Sequence, residues 1–345
     1  MRAAVFYEHG APEVIQVADD LPVPQPGAGQ VRVQMKAAAL NRLDLWVREG
    51  WKGLSLEMPH VIGSDGAGIV DAVGAGVTSV APGDRVSINP TLTDENCINL
   101  TGSESECLDV KIMGEHARGL AAEYVVIPAR NVHKLPDHVS FAEAAAAGLV
   151  FITSWHSMIT RGGLQPGESV LVIGAGGGVS TASIQIAKLA GSKVYVVGSS
   201  AEKCAQAKAL GADVVIDRSK EENWSKALYG LTNKRGVDVV VDNVGQATMM
   251  DSIRSVKRGG RILVVGNTSG YNAQIDLRYV FSKQISIIGS TMGTTAAYTR
   301  VMGLVAEGKL KPVIGAALPL NDAREAERML ESGDVFVKVV LIIQN

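Results

Sequence analysis

Apolar residues recur in two rhythms along the chain. Up to about residue 135 they come in short runs: Arg2–Tyr7, Val31–Lys36, Gly68–Val73, Arg85–Ile88 and Ala122–Ile127. Turn residues such as Pro24-Gln-Pro-Gly27 and Pro82-Gly-Asp84 separate them. Closely spaced short strands with Gly and Pro turns predict a small barrel or sandwich. One helical stretch near Asn41–Glu49 interrupts it, and the polar, aperiodic segment Thr91–Leu108 reads as a surface loop. At Ser140 and Glu143 a Ser-x-x-Glu pattern precedes an alanine run, which predicts a helix start.

From residue 151 to 290 the rhythm changes to repeated strand–helix units. Candidate strands are Val170–Ile173, Lys193–Val197, Val214–Asp217, Val237–Asp242, Arg261–Val265 and Ile285–Ile288. Helical stretches such as Ala201–Leu210 and Ala247–Lys257 lie between them. Six strands with helical crossovers predict an α/β, doubly wound parallel sheet. Residues 291–345 hold two helical stretches and a final strand, Val337–Ile343.

Ser169–Gly191 organises the rest. An apolar, partly β-branched strand runs into Gly174, Gly176, Gly177 and Gly178, and a helical pattern begins at Val179. Glycines let the backbone turn sharply and approach a ligand. A strand, a glycine turn and a helix N-terminus together make an anion site suited to a dinucleotide pyrophosphate. Ligands of such sheets sit at the carboxyl ends of the strands, where Gly174, Asp242-Asn243 and Gly266-Asn267 fall. The strand Lys193–Val197 ends in Gly198-Ser199-Ser200, where NAD enzymes place a carboxylate for the ribose hydroxyls. Ser199, Ser200 and the positive Lys203 favour a 2′-phosphate instead, so NADPH (NADP) is the expected cofactor. Glu202 complicates that reading.

Composition narrows the class. With 345 residues, 46% hydrophobic content and a net charge of −2, the chain fits a two-domain soluble enzyme and carries no footprint for nucleic acid or anionic membrane. No apolar run reaches membrane-spanning length and no signal peptide is apparent, so a cytoplasmic location is expected. Three cysteines, Cys97, Cys107 and Cys204, do not suggest a disulfide scaffold. His60, His116 and His156 are scattered and read as structural.

Several motifs in order carry a resemblance: Ala37-Ala-Ala-Leu-Asn-Arg-Leu-Asp44, Pro59-His-Val-Ile-Gly-Ser-Asp-Gly-Ala-Gly-Ile-Val70, Pro82-Gly-Asp-Arg-Val86, the glycine turn and Asp242-Asn-Val-Gly245. Over nearly its full length the chain resembles the medium-chain dehydrogenase/reductase superfamily. That implies a GroES-like, β-rich catalytic domain at 1–150, completed by 291–345, and a six-stranded Rossmann domain at 151–290. It also implies an active site in the cleft between them. Zinc alcohol dehydrogenases of the superfamily use Cys, His and Cys around a catalytic zinc. Asn41, Ser64 and Leu149 stand at those positions here. The structural-zinc lobe is represented by Asp94, Cys97, Leu100 and Cys107, a loop that keeps its length without its ligands. The remaining pattern resembles the zinc-free quinone oxidoreductase branch, with Asn at 41, Asp at 44 and Gly174-x-x-Gly177-x-x-Ser180. Gly289-Ser-Thr-Met292 and Gly308-Lys-Leu-Lys-Pro-Val313 look like bacterial alcohol dehydrogenases.

Each candidate residue has two readings. Asn41 is either a hydrogen-bond donor to a substrate carbonyl or a helix cap. Asp44 and Asp65 could form a polar relay beside the nicotinamide, but Asp65 is better read as paired with a local arginine such as Arg48. By the resemblance, Thr153 approaches the nicotinamide, Lys338 lies near the pyrophosphate, and Trp46, Trp51 and Lys52 stand in the substrate neighbourhood. The expected activity is hydride transfer from NADPH to an enone, enal or quinone. The alternatives are an alcohol-dehydrogenase-like carbonyl reductase and a non-catalytic NADPH-binding protein. The resemblance also implies a homodimer or homotetramer through the edge strand at Ser282–Ile288.

Overall fold

A strand that alternates and then stops alternating sits at the centre of the first unit. In Gln30–Leu40, Val31, Val33 and Met35 point inward and polar residues outward; from Ala37 to Leu40 every residue is buried. A strand buried on both faces needs neighbours on both edges. In the computed structural model, Asp65–Val73 pairs with it on one edge, and Tyr124–Pro128 and Lys338–Ile342 pair on the other. The structure describes residues 1–94, 96–98, 103–333 and 335–344.

The chain divides into two units, Met1–Leu149 with Thr294–Asn345, and Val150–Gly293. The first holds a seven-stranded sheet in which Ile314–Pro319, Lys338–Ile342, Gln30–Leu40, Asp65–Val73, Arg85–Ile88 and Val132–Lys134 follow one another. A three-stranded sheet of Gln16–Ala18, Ala3–Phe6 and His60–Val61 lies in the same unit. Phe6, Ile15, Met35, Leu40, Ile62, Ile88, Leu120 and Ile127 fill its core. Each such side chain contributes about 1.5–3 kcal/mol of burial. Helix Phe141–Trp155 starts where the capping pattern predicts: the Ser140 N–H donates to Glu143 Oε2, and the Glu143 N–H to Ser140 Oγ.

The second unit is the expected Rossmann-type sheet. Its six parallel strands run Val214–Asp217, Lys193–Gly198, Ser169–Ile173, Val237–Asp242, Val256–Val264 and Ser286–Gly289, with the strand order reversing about Ser169–Ile173. Near-continuous valine and isoleucine runs fit strands covered on both faces. No helix among the described residues is long and apolar enough to cross a membrane.

Three sequence expectations need correction here. Thr91–Leu108 is not wholly loop: Thr91–Leu92 pairs with Lys111–Ile112, and a 3-10 turn spans Glu104–Glu106. Cys97 and Cys107 are joined in a disulfide, although the cysteine count had not suggested a disulfide scaffold. Ile314–Pro319 is a strand that the sequence pattern did not reveal. Leu100 lies outside the described residues.

Candidate functional site

In the first unit the sheet register assembles a buried polar cluster. Val339 pairs with Leu40 and Ala39 with Asp65, so the residues just beyond, Lys338 and Asn41, meet at the edge of Asp65. Lys338 Nζ donates to Asn41 Oδ1 at 2.7 Å and to Asp65 Oδ2 at 2.9 Å. Asn41 Nδ2 donates to the same Asp65 oxygen at 2.9 Å. The other Asp65 oxygen accepts the Leu149 N–H at 2.6 Å. Asn41, Asp65 and Lys338 are 6%, 0% and 2% exposed, so these partners replace solvent almost completely. A Cβ at Gly148 would come within 2.2 Å of Asp65 Oδ1, so the glycine lets the carboxylate sit there.

Asp44 belongs to the same neighbourhood. Its carboxylate accepts the Asn41 N–H at 2.7 Å and the Gly63 N–H at 2.8 Å. It thereby closes the capping box at Asn41, the N-cap of helix Arg42–Glu49, whose side chain also belongs to the cluster. Burial pushes its pKa up to about 7, against the pull of those two N–H groups and Lys338.

The pairing of Asp65 with Arg48 does not occur. Arg48 bonds Glu327 at 2.9 Å, the Gly10 carbonyl at 2.7 Å and Glu331 at 3.1 Å. Helix Ala323–Ser332 brings two carboxylates to the guanidinium, and the incoming final strand brings an ammonium to Asp65. Trp46 is half-buried on its helix, while Trp51 and Lys52 are exposed; none joins the cluster's hydrogen bonds. His60 and His116 bond the Gly114 carbonyl and the Ile112 N–H, as structural histidines do.

In the second unit Gly174 takes φ +91°, a conformation open to glycine. Helix Gly178–Leu189 follows with Gly177 as N-cap, so no side chain caps its first N–H groups, among them those of Gly178 and Val179. Orphan N–H groups beside bare glycines, Gly176 among them, fit a pyrophosphate. Ser180 Oγ donates to the Ile173 carbonyl and accepts from Asn243 Nδ2 at 3.2 Å, tying the turn to the next strand end. The buried Asp242 carboxylate shapes that end, accepting from Val244 N, Gly245 N, Thr248 Oγ1 and Ser252 Oγ. Gly266 packs on the Asn243 carbonyl, where a Cβ would stand 3.0 Å away, and Asn267 is exposed beside it. Thr153 is buried, with its hydroxyl 3.9 Å from Met292 Sδ.

Ser199 is exposed, and Ser200 caps helix Ala201–Ala209 by accepting the Lys203 N–H. The sequence reading missed Arg218. Gly198 pairs with Asp217, and the Arg218 N–H bonds the Gly198 carbonyl at 3.0 Å, so the exposed Arg218 has its backbone beside the start of the serine turn. Strand register is the signal that finds it.

Residues 27–137 match the alcohol dehydrogenase GroES-like domain, and 178–307 the zinc-binding dehydrogenase domain. Human quinone oxidoreductase is 29% identical over 350 residues, covering 99% of this chain and 98% of that protein. A solved structure described as an NAD-dependent alcohol dehydrogenase is 47% identical, covers all of both chains and superposes with a TM-score of 0.96. The 2-octenoyl-CoA carboxylase reductase CinF, solved with NADP and 2-octenoyl-CoA, is 27% identical, covering 96% of this chain and 82% of that one, with a TM-score of 0.89. The chain belongs to the medium-chain dehydrogenase/reductase superfamily.

Zinc is the metal this superfamily suggests, and the residues here do not fit it. By the resemblance, the Asn41 amide, the Ser64 hydroxyl and Leu149 stand where thiolate and imidazole ligands would be, and none of them is a zinc ligand of that kind. The neighbouring Asp65 carboxylate is already bonded to the Lys338 ammonium, which repels a dication. In the other lobe Cys97, Cys107 and Asp109 lie within 4.8 Å of one another, but the cystine has no thiolate to offer a metal. The glycine turn, by contrast, fits the pyrophosphate of a dinucleotide.

Proposed function

We propose that this medium-chain oxidoreductase is a zinc-independent, NADPH-dependent reductase of conjugated carbonyls or quinones. The observation that carries the reading is the Asn41–Asp65–Lys338 cluster, where an ammonium and an amide stand in place of a zinc donor set. Bound NADPH supplies a hydride. Gly174, Gly176, Gly177 and Gly178 hold its pyrophosphate; Ser199, Ser200, Lys203 and Arg218 favour its 2′-phosphate. Without a Lewis acid, an isolated carbonyl leaves negative charge on one oxygen. A conjugated acceptor spreads that charge over an enolate or a quinol ring, and one or two donors suffice at roughly 3 kcal/mol each. The Asn41 amide is the first donor, and the Thr153 hydroxyl assists. Lys52 or water gives the one proton that completes the reduction after hydride transfer, and Trp46 and Trp51 wall the acceptor. Similarity to quinone oxidoreductase and to an enoyl-CoA-binding reductase supports this class.

A second reading, an NAD-dependent alcohol dehydrogenase, is favoured by the 47% identical solved structure. NADPH and NADH oxidation with cyclohexenone, benzoquinone and butanal, and the reverse reaction with butanol, separate the two. The proposal expects NADPH turnover with the enone or quinone and no zinc retained after dialysis. Rapid butanol oxidation with NAD, and no enone or quinone reduction, would establish the second reading; absence of any turnover would leave a cofactor-binding protein. Exposed Phe281 and Ile287 beside the edge strand Ser286–Gly289 support the expected self-association.

A further inference from the structure

We propose that Lys338 is a positioning residue: its ammonium fixes and polarises the Asn41 amide so that one N–H remains available to the acceptor. The inference rests on the reading of Asn41 as the donor. A side-chain amide has two orientations that differ only by exchange of its oxygen and nitrogen. Here chemistry decides between them. The ammonium is donor-only and the carboxylate acceptor-only. Lys338 must therefore face Oδ1, and Asp65 must face Nδ2. The flipped amide would set its NH₂ against the ammonium and its carbonyl against the carboxylate.

The amide nitrogen carries two hydrogens. One goes to Asp65 Oδ2; among the described residues the other has no acceptor. The bond from the ammonium to Oδ1 draws electron density from the amide and strengthens the remaining N–H as a donor, since chained hydrogen bonds reinforce one another. The frame around this arrangement is closed. Asp65 is held from behind by the Leu149 N–H, and Gly148 leaves no slack for a larger residue. Asn41 is held from below by Asp44, which grips its backbone N–H. Lys338 spends two of its three hydrogens inside the cluster and is 2% exposed, which commits it to Asn41 more than to a cofactor phosphate.

The test is a kinetic cycle of Asn41→Ala, Lys338→Met and the double variant, with the best substrate of the enone, quinone and alcohol panel. Lys338→Met should lower kcat about 10–100-fold, toward the loss of an oxyanion donor, while the NADPH Kd from fluorescence titration stays within about twofold. In the Asn41→Ala background the second substitution should change kcat little, because residues that act through one another are not additive. Multiplying effects on kcat, or weaker NADPH binding with unchanged kcat at saturating cofactor, would overturn the proposal. If Lys338→Met does not fold, Lys338→Met with Asp65→Asn leaves no charge unpaired and replaces it, against Asp65→Asn alone. A readout without turnover is the Asn41 side-chain amide in ¹H–¹⁵N spectra, assigned by its loss in Asn41→Ala. Slow solvent exchange of the hydrogen bonded to Asp65 in the wild type, lost on removing Lys338, supports the proposal; fast exchange of that hydrogen in the wild type refutes it. Failure of the enone reading appears in the wild-type substrate panel, and failure of this proposal in the cycle or the exchange rates.

Discussion

Arg48 and Glu327 anchor the helix that carries Asn41 and Asp44, and their removal can be followed quantitatively. Both side chains are fully buried and 2.9 Å apart. Glu327 Oε1 has no partner among the described residues, so Arg48 is its main compensation. Above about pH 8, where Glu327 is ionised, Arg48→Met leaves that carboxylate unpaired in the interior. Breaking a buried pair from one side costs about 3–5 kcal/mol. For a unit of about 200 residues each kcal/mol corresponds to about 2–4 °C, so the variant should melt about 6–20 °C below the wild type. Glu327 also sets a pH dependence. Burial raises its pKa from 4.5 to about 8; the Asp44 charge adds to this and Arg48 opposes it. A carboxyl with a raised folded pKa contributes stability that is whole below the unfolded value and is lost as pH rises through the folded value. Wild-type stability should therefore fall between about pH 5 and 8, by at most about 1.4 kcal/mol per pH unit for this one group. Asp44, raised to about 7, adds a fall of the same sign that ends earlier. Urea unfolding across that range, with Arg48→Met, Glu327→Gln and the double variant, measures both effects. Glu327→Gln should flatten the fall above pH 7 and should rescue Arg48→Met. The reasoning is refuted if Glu327→Gln keeps the full wild-type slope there, or if Arg48→Met loses less than about 1 kcal/mol, the scale of a surface pair.

Gly148→Ala should push Asp65 off the Leu149 N–H and lower both kcat and stability, the latter by about 1–3 kcal/mol as for other overpacked sites; paired melting curves and kinetics check it. Lys203→Ala and Arg218→Ala should each raise the NADPH KM by about 10–100-fold, the scale of a charge-assisted hydrogen bond, and leave the NADH KM unchanged. Ile287→Glu, placed on the exposed edge strand, should convert the proposed oligomer to monomers in light scattering.

The local layer of this fold was legible in the residues. Ser140 and Glu143 announced a helix start, and the valine runs announced five of the six parallel strands within a residue or two, while the one expected at Arg261–Val265 begins at Val256. Gly174 announced its turn because few other residues accept that backbone. Non-local pairings were not legible. Asp65 was read with Arg48 because both lie close in sequence, yet the strand that supplies its true partner begins at residue 338. Ile314–Pro319 was missed because Gly315, Ala316 and Ala317 give a strand little β-branched signature. The cystine escaped for a related reason: ten residues of separation say nothing about whether a loop folds its ends together. Arg218 was invisible until the pairing of Gly198 with Asp217 fixed which side chains share a strand end.

The register of the final strand has a consequence for biogenesis. Ala37–Leu40 is buried by Lys338–Ile342, so that edge of the N-terminal sheet stays unpaired until the last residues of the chain exist. At about 5–20 residues per second, the roughly 300 intervening residues take about 15–60 s to synthesise. The Val150–Gly293 unit, continuous in sequence, is complete before then. A nascent chain therefore carries a finished Rossmann-type fold while the alanine-lined sheet edge is still open, and such an open edge is a site for chaperone binding or aggregation.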